Sequence, residues 1–198
     1  KRVNPRPGIK AISNRFDLHQ QLIECGFNAS LADFGLPEAG ERFDAVVYRI
    51  SKEKALVHHI INHSALWLRE GGCLYLAGFK NEGIKTYSKK AAQYLGEISD
   101  QQRGDQGAQL ACIQTGAELG ASLDDKNYTG LRLIESEGTE FYSKPGVFGW
   151  QKIDKGSEFL IEHLALMGED FLPEGQGILD LGCGYGYLSL KAGALLNG

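Results

Sequence analysis

The residues best placed to do chemistry lie near the end of the sequence. Ile178-Leu-Asp180-Leu-Gly182-Cys-Gly184-Tyr-Gly186-Tyr-Leu-Ser189 reads as a short apolar strand over 178–181, glycines at alternate positions, then a helix from Tyr187. Glycines in such a turn let backbone approach a ligand without a Cβ in the way. Their spacing restricts the ligand. A dinucleotide fingerprint needs Gly-x-Gly-x-x-Gly, which puts pyrophosphate on the helix N-terminus. Counted from Gly182, the third glycine of that pattern falls on Tyr187, so the pattern fails. The order present is Asp-x-Gly-x-Gly-x-Gly, with Asp180 two residues ahead of the first glycine. The alternative is a structural glycine turn in some other α/β fold.

A second segment precedes it. Lys144-Pro-Gly146-Val-Phe148-Gly-Trp150 is a loop, and Asp154-Lys-Gly156-Ser157 opens a helix running to about Met167, with Asp154 as a candidate N-cap. Phe159, Leu160, His163 and Leu164 are assigned to its inner face. His58, His59 and His63 fall on an earlier helix. His59 and His63 are four apart and share a face. The zinc-protease pattern needs Glu after the first histidine, and Ile60 stands there, so helix surface or partial burial is preferred to a metal site. Cys25, Cys73, Cys112 and Cys183 form no Cys-x-x-Cys pair and read as buried free thiols. Lys80, Lys85, Lys89 and Lys90 cluster on one turn and helix, either to meet RNA phosphates or as a solvated face. Lys1, Arg2, Arg6, Lys10 and Arg15 make a basic start, read as a phosphate-contacting arm or a solvated tail.

The elements that position these residues follow from patterning. The chain has 198 residues, 42% hydrophobic and 23% charged, with net charge −4. That suits a folded domain or two and excludes a uniformly basic nucleic-acid binder. No apolar run approaches the roughly 18 residues of a membrane span, and no secretory leader opens the chain. Strands are expected over 9–13, 28–34, 43–50, 73–79 and 109–115. Helices are expected from Phe16 to Gly26, with Ser13 as N-cap, then over 53–69, stopped by Gly71-Gly72, and over 84–95. Gly35 and Pro37 close the second strand, 99–107 is a polar loop, and Gly175 and Gly177 flank a turn. Strands alternating with helices imply an α/β fold with a mainly parallel sheet. A hairpin over 131–137 and 140–144 marks the boundary, giving domains 1–140 and 141–198.

The glycine segment resembles motif I of class I S-adenosylmethionine-dependent methyltransferases. S-adenosyl-L-methionine has no pyrophosphate, and its ammonium suits an acid at Asp180. Lys144 to Leu160 resembles the segment before motif I in the bacterial ribosomal RNA guanine-N2 methyltransferases, the family of small-subunit methyltransferase C and large-subunit methyltransferase G. There Gly146, Val147, Phe148, Asp154, Gly156 and Ser157 match, while Gly149 stands where serine is usual. The resemblance implies a Rossmann-like class I methyltransferase fold, a degenerate N-terminal copy followed by the start of a catalytic copy. It implies cofactor contacts from Phe148, Asp154, Gly156, Ser157, Asp180, Gly182, Gly184 and Gly186. Ribosomal RNA or the ribosomal particle that holds it is then the partner, in the cytoplasm, with no membrane and no metal. After the strand over 43–50 an active copy reads Asn-Pro-Pro-aromatic; this chain has Tyr48-Arg-Ile-Ser. Both ends read as cut, no catalytic residue is included, and the piece alone is expected to be inactive. The competing reading is a non-catalytic RNA-binding or dimerisation module, a homodimer included.

Overall fold

The computed structural model describes residues 4–35, 40–167 and 177–196. Lys1, Arg2, Pro37 and Gly175 lie outside the described residues. The chain divides into two compact units, Lys1–Asp125 and Lys126–Gly198. The hairpin expected at the close of the first domain therefore belongs to the second unit.

The first unit begins with β1 (Lys10–Ser13), α1 (Phe16–Glu24) and β2 (Asn28–Leu31), and α1 connects two parallel strands. Ser13 does not cap α1. Arg15 holds that position, and the Ser13 hydroxyl accepts from the Arg15 backbone N–H at 3.1 Å. Then come β3 (Phe43–Arg49), α2 (Lys54–Trp67), β4 (Leu68–Phe79), α3 (Ile84–Leu95), β5 (Gly96–Arg103) and β6 (Ala108–Thr115). These four strands form one sheet in the order β3-β4-β6-β5.

The sheet is mixed, which corrects the mainly parallel expectation. β3 and β4 are parallel across the α2 connection, but β6 is antiparallel to both its neighbours. The cause is β5, which occupies the stretch expected to be a polar loop. All its residues are exposed, so it carries no apolar signal. Its Glu97, Asp100 and Arg103 suit a guarded edge. Because β5 is a strand, the chain returns through a tight turn and β6 runs back between β4 and β5. Gly71-Gly72 does not stop α2 either. Leu68 already has extended backbone and pairs with Phe43, so helix passes directly into strand. Ile50, Val57, Ile61, Leu74, Leu76 and Ile113 form the centre of the core between sheet and helices.

The second unit contains β7 (Arg132–Ser136), β8 (Thr139–Ser143), α4 (Lys155–Met167) and α5 (Tyr187–Leu196). Glu137 and Gly138, at φ 50° and 74°, make the two-residue turn between β7 and β8. Ile134, Phe141 and Tyr187 form a small core, with Ile153, Ile161 and Leu188 packed against it. The inner face of α4 is thus the Ile161 side. Phe159, Leu160 and His163, expected inside, are exposed, and Phe159 and His163 pack on one another at 3.9 Å between ring centroids. Ile178 to Asp180 forms no helix or strand, Leu181 already belongs to the turn, and the segment joins no described sheet. A buried parallel strand needs neighbours on both edges, and the described residues supply none. Among the described residues no helix is long and apolar enough to cross a membrane.

Candidate functional site

The structure brings the two motif segments of the second unit together. The glycine turn starts at Leu181 and enters α5 at Tyr187. Gly182, Gly184 and Gly186 have φ of 84°, 57° and 88°. A side chain at any of them would be strained by the backbone alone. A Cβ on Gly182 or Gly186 would meet nothing within 4 Å, and one on Gly184 would reach only Val147, at 3.9 Å. The turn thus presents open backbone. Gly186 donates its N–H to the Cys183 carbonyl at 2.8 Å and accepts from Leu190 at 3.0 Å, which starts α5.

Two residues outside the motif pattern fix this turn. Tyr187 is buried against Phe141, at 5.5 Å between ring centroids, and Tyr185 meets the same ring at 5.8 Å. Their signal in the sequence is the alternation of Gly and Tyr over 184–187, to which motif spacing assigns no role. Burial pushes both tyrosine hydroxyls up from their ordinary pKa. At the turn of the hairpin, Lys191 reaches back from α5 to Glu137 at 2.8 Å.

Asp180 accepts a hydrogen bond from the Ser189 hydroxyl at 2.6 Å. That contact ties the acid before the glycines to the first turn of α5. Hydroxyl-to-carboxylate bonds of this kind are charge-assisted and short.

Asp154 caps α4. Its Oδ2 accepts from the Ser157 backbone N–H at 3.0 Å and from the Ser157 hydroxyl at 3.3 Å. A Cβ on Gly156 would lie 3.1 Å from that same oxygen, so glycine keeps the cap uncrowded. The Asp-x-Gly-Ser run is therefore a complete helix cap in its own right. Gly149 has φ 68°, which a serine would tolerate poorly, and a Cβ there would lie 3.7 Å from the Tyr185 ring. Phe148 is 80% exposed beside this loop. Trp150 is covered by the Arg132 guanidinium, 4.3 Å from the ring centroid.

The remaining candidates lie in the first unit. The histidines of α2 are not surface groups: His58 and His59 are buried. His58 donates from Nδ1 to the Asp124 carbonyl at 2.7 Å, and Lys90 contacts its Nε2 at 3.3 Å. Lys80, Lys85 and Lys89 are exposed. Of the four free cysteines only Cys112 is buried, while Cys25 and Cys183 are exposed. The segment after β3 is closed. Ile50 enters the core, and Arg49 donates to Glu82 at 2.7 Å.

Comparison with known proteins agrees with the two units. Residues 4–103 match the family model described as methyltransferase small domain N-terminal, and residues 138–196 match that described as methyltransferase small domain. The ribosomal RNA small subunit methyltransferase C of Marinomonas sp. is 29% identical over 170 residues, 81% of this chain and 46% of the relative. That of Shewanella loihica is 32% identical over 176 residues, 86% of this chain and 48% of the relative. The chain spans about half the length of the curated relatives it matches. A solved 16S rRNA N2 methyltransferase of T. thermophilus, in complex with AdoMet and guanosine, superimposes with a TM-score of 0.73 at 31% identity. It covers 94% of this chain, and the match takes in 50% of that structure.

Proposed function

The chain belongs to the methyltransferase small domain family of ribosomal RNA methyltransferases, and from that premise we propose that the full-length protein methylates N2 of a guanine in ribosomal RNA, using S-adenosyl-L-methionine. The first unit serves in this reading as a degenerate methyltransferase-like domain and the second as the start of the catalytic one. The observation that carries the proposal is the meeting of Val147 to Gly149 with a glycine turn whose three glycines all hold positive φ.

The residues present suit the cofactor. The turn offers backbone without Cβ atoms at Gly182, Gly184 and Gly186, and Asp180 offers a carboxylate at its edge. Exposed Phe148 and the capped run Asp154, Gly156 and Ser157 are, in this reading, further cofactor contacts. When bound, S-adenosylmethionine supplies an electrophilic methyl group on a sulfonium. This chain's part is to bind and orient: Asp180 pairs with a cationic amine, and Phe148 excludes water. The guanine amine is a weak nucleophile because its lone pair is delocalised into the ring. The enzyme must therefore take the base from its stack and hold the amine in line. Asn-Pro-Pro-aromatic, the motif that would do so, is not in these 198 residues. Exposed Lys80, Lys85 and Lys89 offer phosphate contacts in the first unit, and the setting is the cytoplasm.

Titration of the full-length protein with S-adenosylhomocysteine, with and without Asp180→Ala, tests the site. Methyl transfer to ribosomal particles tests the reaction. Unchanged product affinity in the variant would remove the glycine turn as the cofactor site.

A further inference from the structure

A cluster outside the glycine site brings three metal-ligating side chains together. One donor atom from each of His59, His63 and Asp125 lies within 4.8 Å of the others. His59 is 1% exposed. Its Nε2 is 2.9 Å from the Phe34 carbonyl, which can only accept, so Nε2 carries a proton. Its Nδ1 is 3.2 Å from an Asp125 carboxylate oxygen. In neutral His59 that nitrogen is a lone pair facing an anion. His63 donates from Nδ1 to the His59 carbonyl at 3.1 Å, which leaves the lone pair on its Nε2.

Both rings thus give one N–H to a backbone carbonyl and keep the other nitrogen as a donor to metal. That is the usual outer arrangement of metal-bound histidine. The backbone just before Asp125 is held in place as well. Asn62 brackets Leu123 with bonds of 2.8 and 2.9 Å, and His58 holds the Asp124 carbonyl. Zinc bonds of about 2.0–2.2 Å give tetrahedral edges of roughly 3.3–3.5 Å, close to the His59–Asp125 separation. Asp125 is partly exposed, which gives an ion a way in.

We propose that His59, His63 and Asp125 form a three-ligand site for a borderline divalent cation, zinc foremost, that clamps α2 to the segment at Asp125. Two imidazoles and one carboxylate are zinc donors, and a fourth position remains for water. The motif escapes a sequence pattern because Asp125 lies 62 residues beyond His63 and is delivered by the fold.

The test is titration of the chelator-treated 198-residue chain with Co²⁺. The expected result is stoichiometric binding with the visible bands of a tetrahedral site, displaced by Zn²⁺. His63→Gln and Asp125→Asn should each weaken binding at least about tenfold, since even outer contacts of such sites carry roughly 10–100-fold. His163→Gln, on an exposed face of α4, should change nothing. No saturable binding, or binding indifferent to both variants, overturns the proposal. Imidazole ¹⁵N shifts of the unaltered chain decide should a variant fail to fold. A His59 Nδ1 shift that does not move when Zn²⁺ is added means no metal site; a shift that moves to the metal-bound range supports the site.

Discussion

The two units treat the acid beside a strand end in opposite ways. In the first, Glu82 is consumed: its carboxylate accepts from Arg49 and from the Phe79 backbone, and the Arg49 guanidinium lies 5.7 Å over the Phe79 ring. In the second, Asp180 accepts from the Ser189 hydroxyl and stands before a turn of open glycines. Their apolar residues differ in the same sense. Leu74 and Leu76 of β4 are fully buried, whereas Leu179 and Leu181 are 80% and 85% exposed. One unit has closed its strand end into structure, whereas Ile178 to Leu181 has no described strand beside it. The contrast fits a scaffold joined to a binding half-site.

The largest expected effect tests closure. Leu76→Ala removes a side chain from the centre of the first core and should cost about 2–5 kcal/mol. Leu181→Ala, in this chain, should stay within about 0.5 kcal/mol. Trp67 reports on the first unit and Trp150 on the second, so urea unfolding followed by fluorescence separates them. A Leu181→Ala variant as damaging as Leu76→Ala would erase the difference.

Next is the acid. In the full-length protein Asp180→Ala should weaken S-adenosylhomocysteine binding by roughly ten- to more than a hundredfold, the worth of about 1.5–3 kcal/mol for a charged hydrogen bond. Gly184→Val should weaken binding too, and it should lower the melting temperature, because a branched residue at φ 57° is strained by roughly 1–2 kcal/mol. Equal melts for the two variants would contradict the backbone argument.

A smaller effect belongs to the α4 cap. Asp154→Ala loses the bonds to Ser157 and should cost the second unit about 1 kcal/mol, within a range of roughly 0.5–2. The Trp150 transition should shift while the Trp67 transition stays.

Much of this contrast is written locally. Asp154, Gly156 and Ser157 sit at cap spacing, and the alternate glycines match a turn that needs positive φ, so both are legible without tertiary information. α3 is legible too, since Gly83 and Gly96 bracket its apolar stripe. What the sequence hides depends on partners. β5 carries no apolar face, so its pairing with β6 leaves no pattern to read. Ile178 to Leu181 shows the opposite failure: its composition says buried strand, but pairing requires neighbours. The burial of His58 and His59 depends on the segment at 123–125, more than sixty residues away, and no local period records it.

The smallest effect concerns Glu82, where the first unit has spent its acid. The hydrogen bond from Arg49, followed by that from the Phe79 N–H, holds its carboxyl below the ordinary carboxylate range. The sign follows from linkage. Above the ordinary value, about 4.3, both folded and unfolded chains are ionised there and the pairing contributes in full. As pH falls below it, the unfolded chain takes up the proton first, and the contribution drains away until the folded group also protonates. Glu82→Gln keeps an oxygen for the Phe79 N–H and removes the charge. The gap in melting temperature between the parent chain and this variant should therefore be present at pH 7 and shrink towards pH 3. An equal gap at both pH values would mean that Arg49 and Glu82 are neighbours without electrostatic consequence, and the closed end of β3 would owe its shape to the packing of Ile50 and Phe79 alone.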